Sequence, residues 1–264
     1  RDPRGEQRLM PEMLARYEFK YLIQPDRVAG IRDRTRMYCE PDAYGEQGVY
    51  EVNSLYLDDV DWSLARQTLD GVRQRQKLRM RTYGWTADDP VFCEIKGRLG
   101  TSILKTRALV DRPTAFEIAR GDPMPGGIFA LKESHQADLD RFRNRMDRLD
   151  LRGRMWVRYR REAWQSAYGD GARLTFDFDL QGQAADPLHP FEPDPGHWRD
   201  IWLGAPGAII LELKFNGAFP HWMLQLVHEQ ELHRESVSKY VNCVVACGQT
   251  PWATSERGDQ WITF

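Results

Sequence analysis

The chain has 264 residues, of which 41% are hydrophobic and 11% aromatic, and this excludes disorder as its main state. Its 37 basic and 39 acidic residues nearly cancel to a formal net charge of −2, so the chain is no general polycation built to coat nucleic acid. No run approaches the ~20 apolar residues that cross a bilayer. We therefore expect no nucleic-acid partner and no membrane-spanning segment.

The composition favours one domain over residues 14–248. We expect a flexible N-terminal tail at 1–13, because RDPRGEQR is polar and shows no periodicity, and a C-terminal tail at 249–264. Apart from the last two, the cysteines are widely scattered, which favours reduced, buried thiols in a cytoplasmic protein. They are Cys39, Cys93, Cys243 and Cys247.

Alternation of apolar and charged residues predicts six β-strands. In RYEFKYL, Glu18 and Lys20 fall on the face opposite Tyr17 and Phe19. The same period of two recurs in RQKLRMRTY, VFCEIKGR, ILKTRALV, RLTFDFDL and IILELKF. Strict alternation in RLTFDFDL places Asp177 and Asp179 together on one face.

Amphipathic spacing predicts four helices, at 25–39, 134–149, 221–232 and 236–247. The last of these begins near Ser236 or Ser238, either of which is a suitable N-cap. Residues 181–206, rich in Pro, Gly and Asp, indicate an irregular loop. These elements describe an α+β chain with mostly antiparallel strands.

The charged strand faces concentrate Lys and Arg at every second position. For any single strand this is compatible with an ordinary solvent face. Across six strands the like charges repel one another, unless an anion neutralises them. If these faces curl inward, they form a basic tunnel that grips a chain of phosphates, and its carboxylates then require a bridging Mg²⁺ or Mn²⁺. Glutamates punctuate the faces in the pairs Glu18/Lys20, Glu94/Lys96 and Glu212/Lys214.

A known family shows the same segments in the same order and spacing. The segments are YEFKYLI, NSLYLDD, KLRMRTYG, FCEIKGR, ILKTR, YRREAW, ILELKF and SVSKY. Over residues 14–248 they resemble the polyphosphate polymerase (VTC) domain family, which belongs to the triphosphate tunnel metalloenzyme superfamily. The chain resembles a bacterial-type member of that family. The resemblance implies an antiparallel eight-stranded closed β-barrel with helices packed outside and a C-terminal closing helix. It also implies transfer of the γ-phosphate of ATP to a growing polyphosphate chain with Mn²⁺ or Mg²⁺.

The resemblance and the basic strand faces together predict the site residues. The expected catalytic residues are Lys20, Arg79, Arg81, Lys96 and Glu212, and Glu212 is also the expected metal ligand. The expected phosphate-binding residues are Lys20, Lys77, Arg79, Arg81, Lys96, Lys105, Arg107, Arg161, Lys214 and Lys239. Arg158 is the alternative to Arg161, because strict alternation places Arg161 on the face of Val157 and Tyr159. Arg16 replaces the first glutamate of the superfamily's ExExK pattern, which removes one candidate metal ligand.

Two other functions use the same basic tunnel and stay open. The first is a tunnel triphosphatase that hydrolyses inorganic or nucleoside triphosphate, and the second is a polyphosphate-binding module without turnover. The predicted partners are ATP and inorganic polyphosphate or triphosphate. The expected location is the cytoplasm, either free or at the inner face of a membrane in association with a membrane protein.

Overall fold

The structure is a computed structural model that describes residues 16–99, 102–121, 127 and 129–249. Over these residues the strands are β1 (Arg16–Ile23), β2 (Cys39–Pro41), β3 (Val49–Asp58), β4 (Arg75–Thr82), β5 (Val91–Leu99), β6 (Ser102–Val110), β7 (Arg152–Ser166), β8 (Arg173–Ala184), β9 (Arg199–Asp200) and β10 (Ile209–Asn216). The helices are α1 (Val28–Thr35), α2 (Ser63–Leu69), α3 (Arg112–Arg120), α4 (Gln136–Arg148), α5 (His221–Glu229) and α6 (Lys239–Ala246). The predicted tails lie outside the described residues, except for Gln249. None of the described helices is long and apolar enough to cross a bilayer.

All paired strands are antiparallel and belong to one sheet. Its main path runs in the order β1-β10-β8-β7-β3-β4-β5-β6, while β2 pairs with β7 and β9 pairs with β8. This confirms the α+β class and the antiparallel sheet. The prediction of a closed eight-stranded barrel is wrong, because the sheet has ten strands within the described residues and no ladder there joins β1 to β6.

The two free edges of the sheet are occupied by other parts of the chain. The backbone N–H of Glu235 donates to the carbonyl of Lys20 on β1 at 2.8 Å. At the other edge, the N–H of Leu131 donates to the carbonyl of Leu109 on β6 at 2.7 Å. These contacts satisfy backbone groups that a closed barrel would pair between β1 and β6.

The sheet is strongly curved even though it is not closed. The carboxylate of Glu18 on β1 lies 3.2 Å from Nζ of Lys96 on β5, although these strands are near opposite ends of the strand order. The charged faces therefore meet on the concave side of the sheet.

Two apolar cores cover the convex side. In one, α3 and α4 pack against β3 to β6 and bury Ile118, Leu139, Phe142, Leu78 and Ile95. In the other, α1 and α5 pack against β1, β8 and β10 and bury Ile31, Met223, Leu226, Leu213 and Phe176. Burial on this side leaves the opposite faces of the same strands to the charged residues.

The last helix lies against the concave side. Ser238 caps α6, since its Oγ accepts a hydrogen bond from the N–H of Val241 at 3.4 Å. The Tyr240 ring stacks on Tyr56 of β3 with the centroids 4.4 Å apart. Apolar residues of α6 share a third core with residues of β3, β7 and β8. The expected closing helix is thus present, and it fills part of the concave face.

A bulge in β8 corrects the predicted phase of that strand. The register between β7 and β8 shifts between Arg158 and Arg160, and Asp179 opposite this step has a left-handed φ of 54°. Asp177 is consequently buried on the concave face, whereas Asp179 is exposed and pairs with Arg160. The prediction that both aspartates share one face is wrong.

The other predicted elements agree with the structure to different degrees. The four predicted helices correspond to α1, α4, α5 and α6, with shorter bounds. The irregular loop expected at 181–206 begins only after β8 ends at Ala184, and it contains β9. All four cysteines are free thiols, but Cys247 is only partly buried.

Candidate functional site

The concave face carries rows of charged residues that run across neighbouring strands. Lys77, Lys96 and Lys105 are directly opposite one another on β4, β5 and β6. Arg79, Glu94 and Arg107 form the next row. Directly opposed residues of antiparallel strands share a face, so these six side chains lie on the same side of the sheet.

Glu212 on β10 is the centre of a buried ion cluster. Its carboxylate lies 2.7 Å from Nζ of Lys214, 2.8 Å from Lys239, 3.4 Å from Arg161 and 3.7 Å from Lys20. Burial by itself raises the pKa of Glu212, but the surrounding cations outweigh burial and hold that pKa well below its usual range. Glu212 is therefore ionised and balances part of the charge of four basic residues.

Asp177 extends this cluster to β7 and α6. Both of its oxygens accept hydrogen bonds from the Arg161 guanidinium, at 2.6 and 2.8 Å, and Lys239 Nζ lies 2.5 Å away. Bidentate geometry of this kind fixes the guanidinium plane. Arg158 instead donates to Gln181 on β8 and lies over the Trp198 ring. The structure thus places Arg161, not Arg158, with the ion cluster.

Glu94 on β5 pairs with two arginines. Its carboxylate lies 2.7 Å from Arg79 and 3.3 Å from Arg107. Burial raises the pKa of Glu94, but Arg79 and Arg81 lower it more strongly, to about 2. Arg79 also donates to the hydroxyl of Tyr56 at 3.2 Å, so a tyrosine and a glutamate together fix its position.

Glu18 connects two ends of the curved sheet. Its carboxylate lies 3.6 Å from Lys20 and 3.2 Å from Lys96. Burial and the nearby Glu212 raise the pKa of Glu18, but the lysines outweigh them and bring it to about 2. The glutamate of the first Glu-x-Lys pair therefore holds lysines on β1 and β5.

Lys77 has no ion pair with any described acidic side chain. Its Nζ donates to Oγ of Ser238, the cap of α6, at 2.8 Å. Burial lowers the pKa of Lys77 well below its usual range, and the cations Lys20 and Lys96 lower it further. This amine lies among like charges and favours an anion.

The remaining predicted residues differ in exposure. Arg81 is buried and its Nε donates to Oγ of Ser54 at 3.2 Å. Lys96, Lys105 and Arg107 are exposed toward the β6 edge. All eleven predicted site residues thus lie on the concave face or, for Lys239, on the helix packed against it.

The structure adds partners that the predicted list omits. They are Glu18, Glu94, Asp177, Tyr56 and Ser238. The two glutamates belong to the repeated Glu-x-Lys pattern, so the sequence already contained their signal. For Asp177, the only signal in the sequence was the alternation of its strand. The contact of Tyr56 with Arg79 depends on the register between β3 and β4, which the sequence pattern does not give.

The carboxylates fit a divalent cation that is bound together with phosphate. Glu18 and Glu212 converge on Nζ of Lys20, at 3.6 and 3.7 Å. Nowhere in the described ranges do three or more acidic, His or Cys side chains come together to hold an ion. Mg²⁺ commonly takes one or two carboxylates and completes its shell with substrate phosphates and water. The pair Glu18 and Glu212 suits that arrangement.

The fold and the site define a class of protein, an α+β protein with a curved antiparallel sheet whose basic concave face is closed in part by a C-terminal helix. The sequence matches the family described as the VTC domain over residues 15–247, and the chain belongs to this family. The resemblance predicted from the sequence motifs is confirmed. A comparison with curated protein sequences gave no match.

Solved structures show a distant likeness. A putative adenylate cyclase from Bacillus halodurans has a TM-score of 0.48 and 12% identity, with coverage of 84% of this chain and 92% of that chain. A putative adenylyl cyclase from Hippeastrum, described as having a dominant triphosphatase activity, has a TM-score of 0.48 and 14% identity, with coverage of 89% and 96%.

Proposed function

We propose that this protein is a metal-dependent polyphosphate polymerase that transfers the γ-phosphate of ATP to a growing inorganic polyphosphate chain. The observation that carries the proposal is the excess of positive charge on the concave face, where ten basic residues surround four carboxylates and Lys77 has no ion pair among the described residues. Such an excess is unfavourable until a polyanion neutralises it. Membership of the VTC family supports a phosphate chain as that polyanion.

The basic residues would hold the reacting phosphates by charge and by forked hydrogen bonds. Lys20, Arg79, Arg81 and Lys96 are assigned to the reacting centre. Arg79 is already oriented by Glu94 and Tyr56, so it offers its charge without reorganisation. The further phosphate-binding residues are Lys77, Lys105, Arg107, Arg161, Lys214 and Lys239.

The reaction is a phosphoryl transfer between two bound phosphate chains. An oxygen of the terminal phosphate of polyphosphate attacks the γ-phosphorus of ATP in line, the bond from that phosphorus to the β–γ bridging oxygen breaks, and ADP leaves. Arginines and lysines stabilise the charge on the transferred group. Mn²⁺ or Mg²⁺, held by Glu212 and Glu18 with phosphate oxygens, would supply further charge neutralisation.

Two alternative functions use the same phosphate-binding residues. In a triphosphatase, water replaces the terminal phosphate as the nucleophile, and in a binding module no transfer occurs. The location in the cytoplasm and the association with a membrane protein remain predictions.

Product analysis distinguishes the three functions. The protein is incubated with ATP and Mn²⁺, and the phosphate products are resolved by length. We expect chains of phosphate that lengthen with time together with ADP. Orthophosphate without chains would identify a triphosphatase, and unchanged ATP would identify a binding module.

A further inference from the structure

Four aromatic rings form a cluster at one end of the concave face. Tyr50 is near the start of β3, Tyr83 follows the end of β4, and Phe92 is near the start of β5, so the three lie at the same end of these antiparallel strands. The centroid of Tyr83 is 5.7 Å from that of Tyr50 and 5.8 Å from that of Phe92. Tyr44, from the loop before β3, packs on Tyr50 at 4.9 Å and on Tyr83 at 5.2 Å.

This cluster adjoins the arginines assigned to the phosphates. Phe92 is directly opposite Arg81, and Tyr50 is directly opposite Arg161. The guanidinium of Arg107 lies 3.8 Å from the Phe92 centroid and also pairs with Glu94. The phosphate arginines therefore lie next to the rings on the same side of the sheet.

The opposite direction along β3 is closed. Tyr56, six residues after Tyr50, is covered by the stacked ring of Tyr240 on α6. Six residues of strand span ~20 Å, so the Tyr56–Tyr240 stack and Tyr50 lie well apart along β3. Arg79 is directly opposite Tyr56, and Arg81 is opposite Ser54, between the two ends. Because the Tyr240 ring covers Tyr56, the nucleoside of a triphosphate held by these arginines is directed to the aromatic end.

The ring of Tyr44 is presented to solvent by a tight loop. Half of the residue's surface is exposed, at 50%. Its backbone N–H donates to Oδ1 of Asp42, and Asp42 in turn pairs with Arg173 of β8. At Gly45, where φ is 78°, an added Cβ would lie 2.2 Å from the carbonyl oxygen of Val49, so the turn next to Tyr44 requires glycine. Tyr44 is thus exposed while its ring packs on Tyr50 and Tyr83.

We propose that Tyr44, supported by Tyr50, Tyr83 and Phe92, is the stacking site for the nucleobase of the nucleoside triphosphate. This inference rests on the proposed function, since it names where the base of that substrate binds. Aromatic side chains bind bases through their faces, and ring stacking is tolerant of which base is bound. Inorganic triphosphate has no base and makes no use of the cluster.

Calorimetric titration tests the inference with two ligands, ATP and inorganic triphosphate, in EDTA so that no turnover occurs. We expect Tyr44→Ala to weaken ATP binding by about 5-fold or more and to leave the affinity for inorganic triphosphate within about twofold. Tyr44→Phe keeps the ring and should keep the affinity for ATP. Tyr168→Ala is the matched control, because Tyr168 is also exposed, at 70%, but lies between β7 and β8 away from the cluster.

The possible results separate this inference from the proposed function. If the wild-type protein binds inorganic triphosphate but Tyr44→Ala leaves ATP binding unchanged, the stacking site is wrong while the phosphate site stands. Equal weakening of both ligands would also overturn it, because the effect would then not depend on the base. If the wild-type protein binds neither ligand, in EDTA or with Mn²⁺, both the stacking site and the proposed function are overturned.

Discussion

Single residues on the concave face act as shared counter-ions. Glu212 contacts four basic residues and Glu94 contacts two, so neither carboxylate neutralises its surroundings completely. Each carboxylate fixes the positions of its cations while leaving a net positive charge. This balance suits a site in which the cations must be ordered before an anion arrives.

The substitution Arg81→Ala tests whether Arg81 binds phosphate. Arg81→Ala should weaken binding of inorganic triphosphate by at least ~10-fold, because it removes a charge-assisted contact of roughly 1.5–3 kcal/mol. Calorimetry at fixed salt measures the loss. Arg160→Ala is the control, since Arg160 is exposed on the other face and pairs with Asp179. Equal affinity in the wild type and Arg81→Ala would remove Arg81 from the site.

Glu212→Gln tests the assignment of the metal. The substitution keeps the shape of the side chain but removes its charge, so turnover of ATP should collapse across an Mn²⁺ titration. Binding of inorganic triphosphate should be retained, because the basic residues around Glu212 stay in place and are no longer partly neutralised by its carboxylate. Initial rates and calorimetry measure the two effects.

A buried glutamate on the other face provides the control for this variant. Glu162 pairs with Arg32 through two hydrogen bonds of 2.8 Å, on the convex side of β7. The folded fraction of Glu162→Gln should turn over ATP at the wild-type rate. Normal turnover in Glu212→Gln would show that the metal does not depend on Glu212.

The helix α6 is attached to the basic face through its first residue and the two residues before it. Lys20 donates to the carbonyl of Val237 at 2.9 Å, Lys77 donates to Ser238, and Lys239 pairs with Glu212. Residues assigned to phosphate therefore also hold the start of the helix. Binding of a phosphate chain and docking of α6 should be coupled.

Ser238→Ala tests this coupling. The substitution removes both the N-cap of α6 and the acceptor of Lys77, and it should lower the free energy of unfolding by about 0.5–2 kcal/mol. Hydrogen exchange should become faster at the amides of 239–246, and inorganic triphosphate should slow it in the wild type. Ser238→Thr retains the hydroxyl and is the control. Exchange that is unaffected by triphosphate in the wild type would contradict the coupling.

Strand alternation predicted much of the concave face, but it could not predict local and long-range exceptions. The bulge at Asp179 reverses the phase of β8 at a non-glycine residue, which no period of two reveals. The N-terminus of α2 is capped from outside the helix, by the Asp58 carboxylate that accepts from the N–H groups of Leu64 and Ala65. By contrast, Asp111 and the proline of α3 are a readable start signal that the sequence prediction missed.

Across the whole molecule, the fold places two apolar cores on the convex side of a curved sheet, and the charged rows and the core under α6 on the concave side. The curvature depends on contacts between distant strands, such as Glu18 with Lys96, and the edges depend on segments far along the chain. Neither follows from the pattern of any one strand. The sequence therefore predicted which residues share a face of the sheet more reliably than which segments pair with its edge strands.

The ion pairs of the concave face should make the stability of the fold depend on acid. The folded-state pKa of Glu94 is about 2, below its ordinary value of 4.5, so its contribution is present above pH 4.5 and is lost as the pH falls toward 2. Glu94→Gln should lower the free energy of unfolding at pH 7 by on the order of 3 kcal/mol. Urea unfolding at several pH values should show this difference shrinking toward pH 2, and a difference that is constant with pH would contradict it.

A crystal structure of the protein with inorganic triphosphate and Mn²⁺ would show where the phosphate chain binds. We expect the chain on the concave face, in contact with Lys20, Arg79 and Arg81, and an ion between that chain and Glu212. A triphosphate bound elsewhere, for example on the exposed arginines of α4, with the concave face free of phosphate, would contradict this expectation.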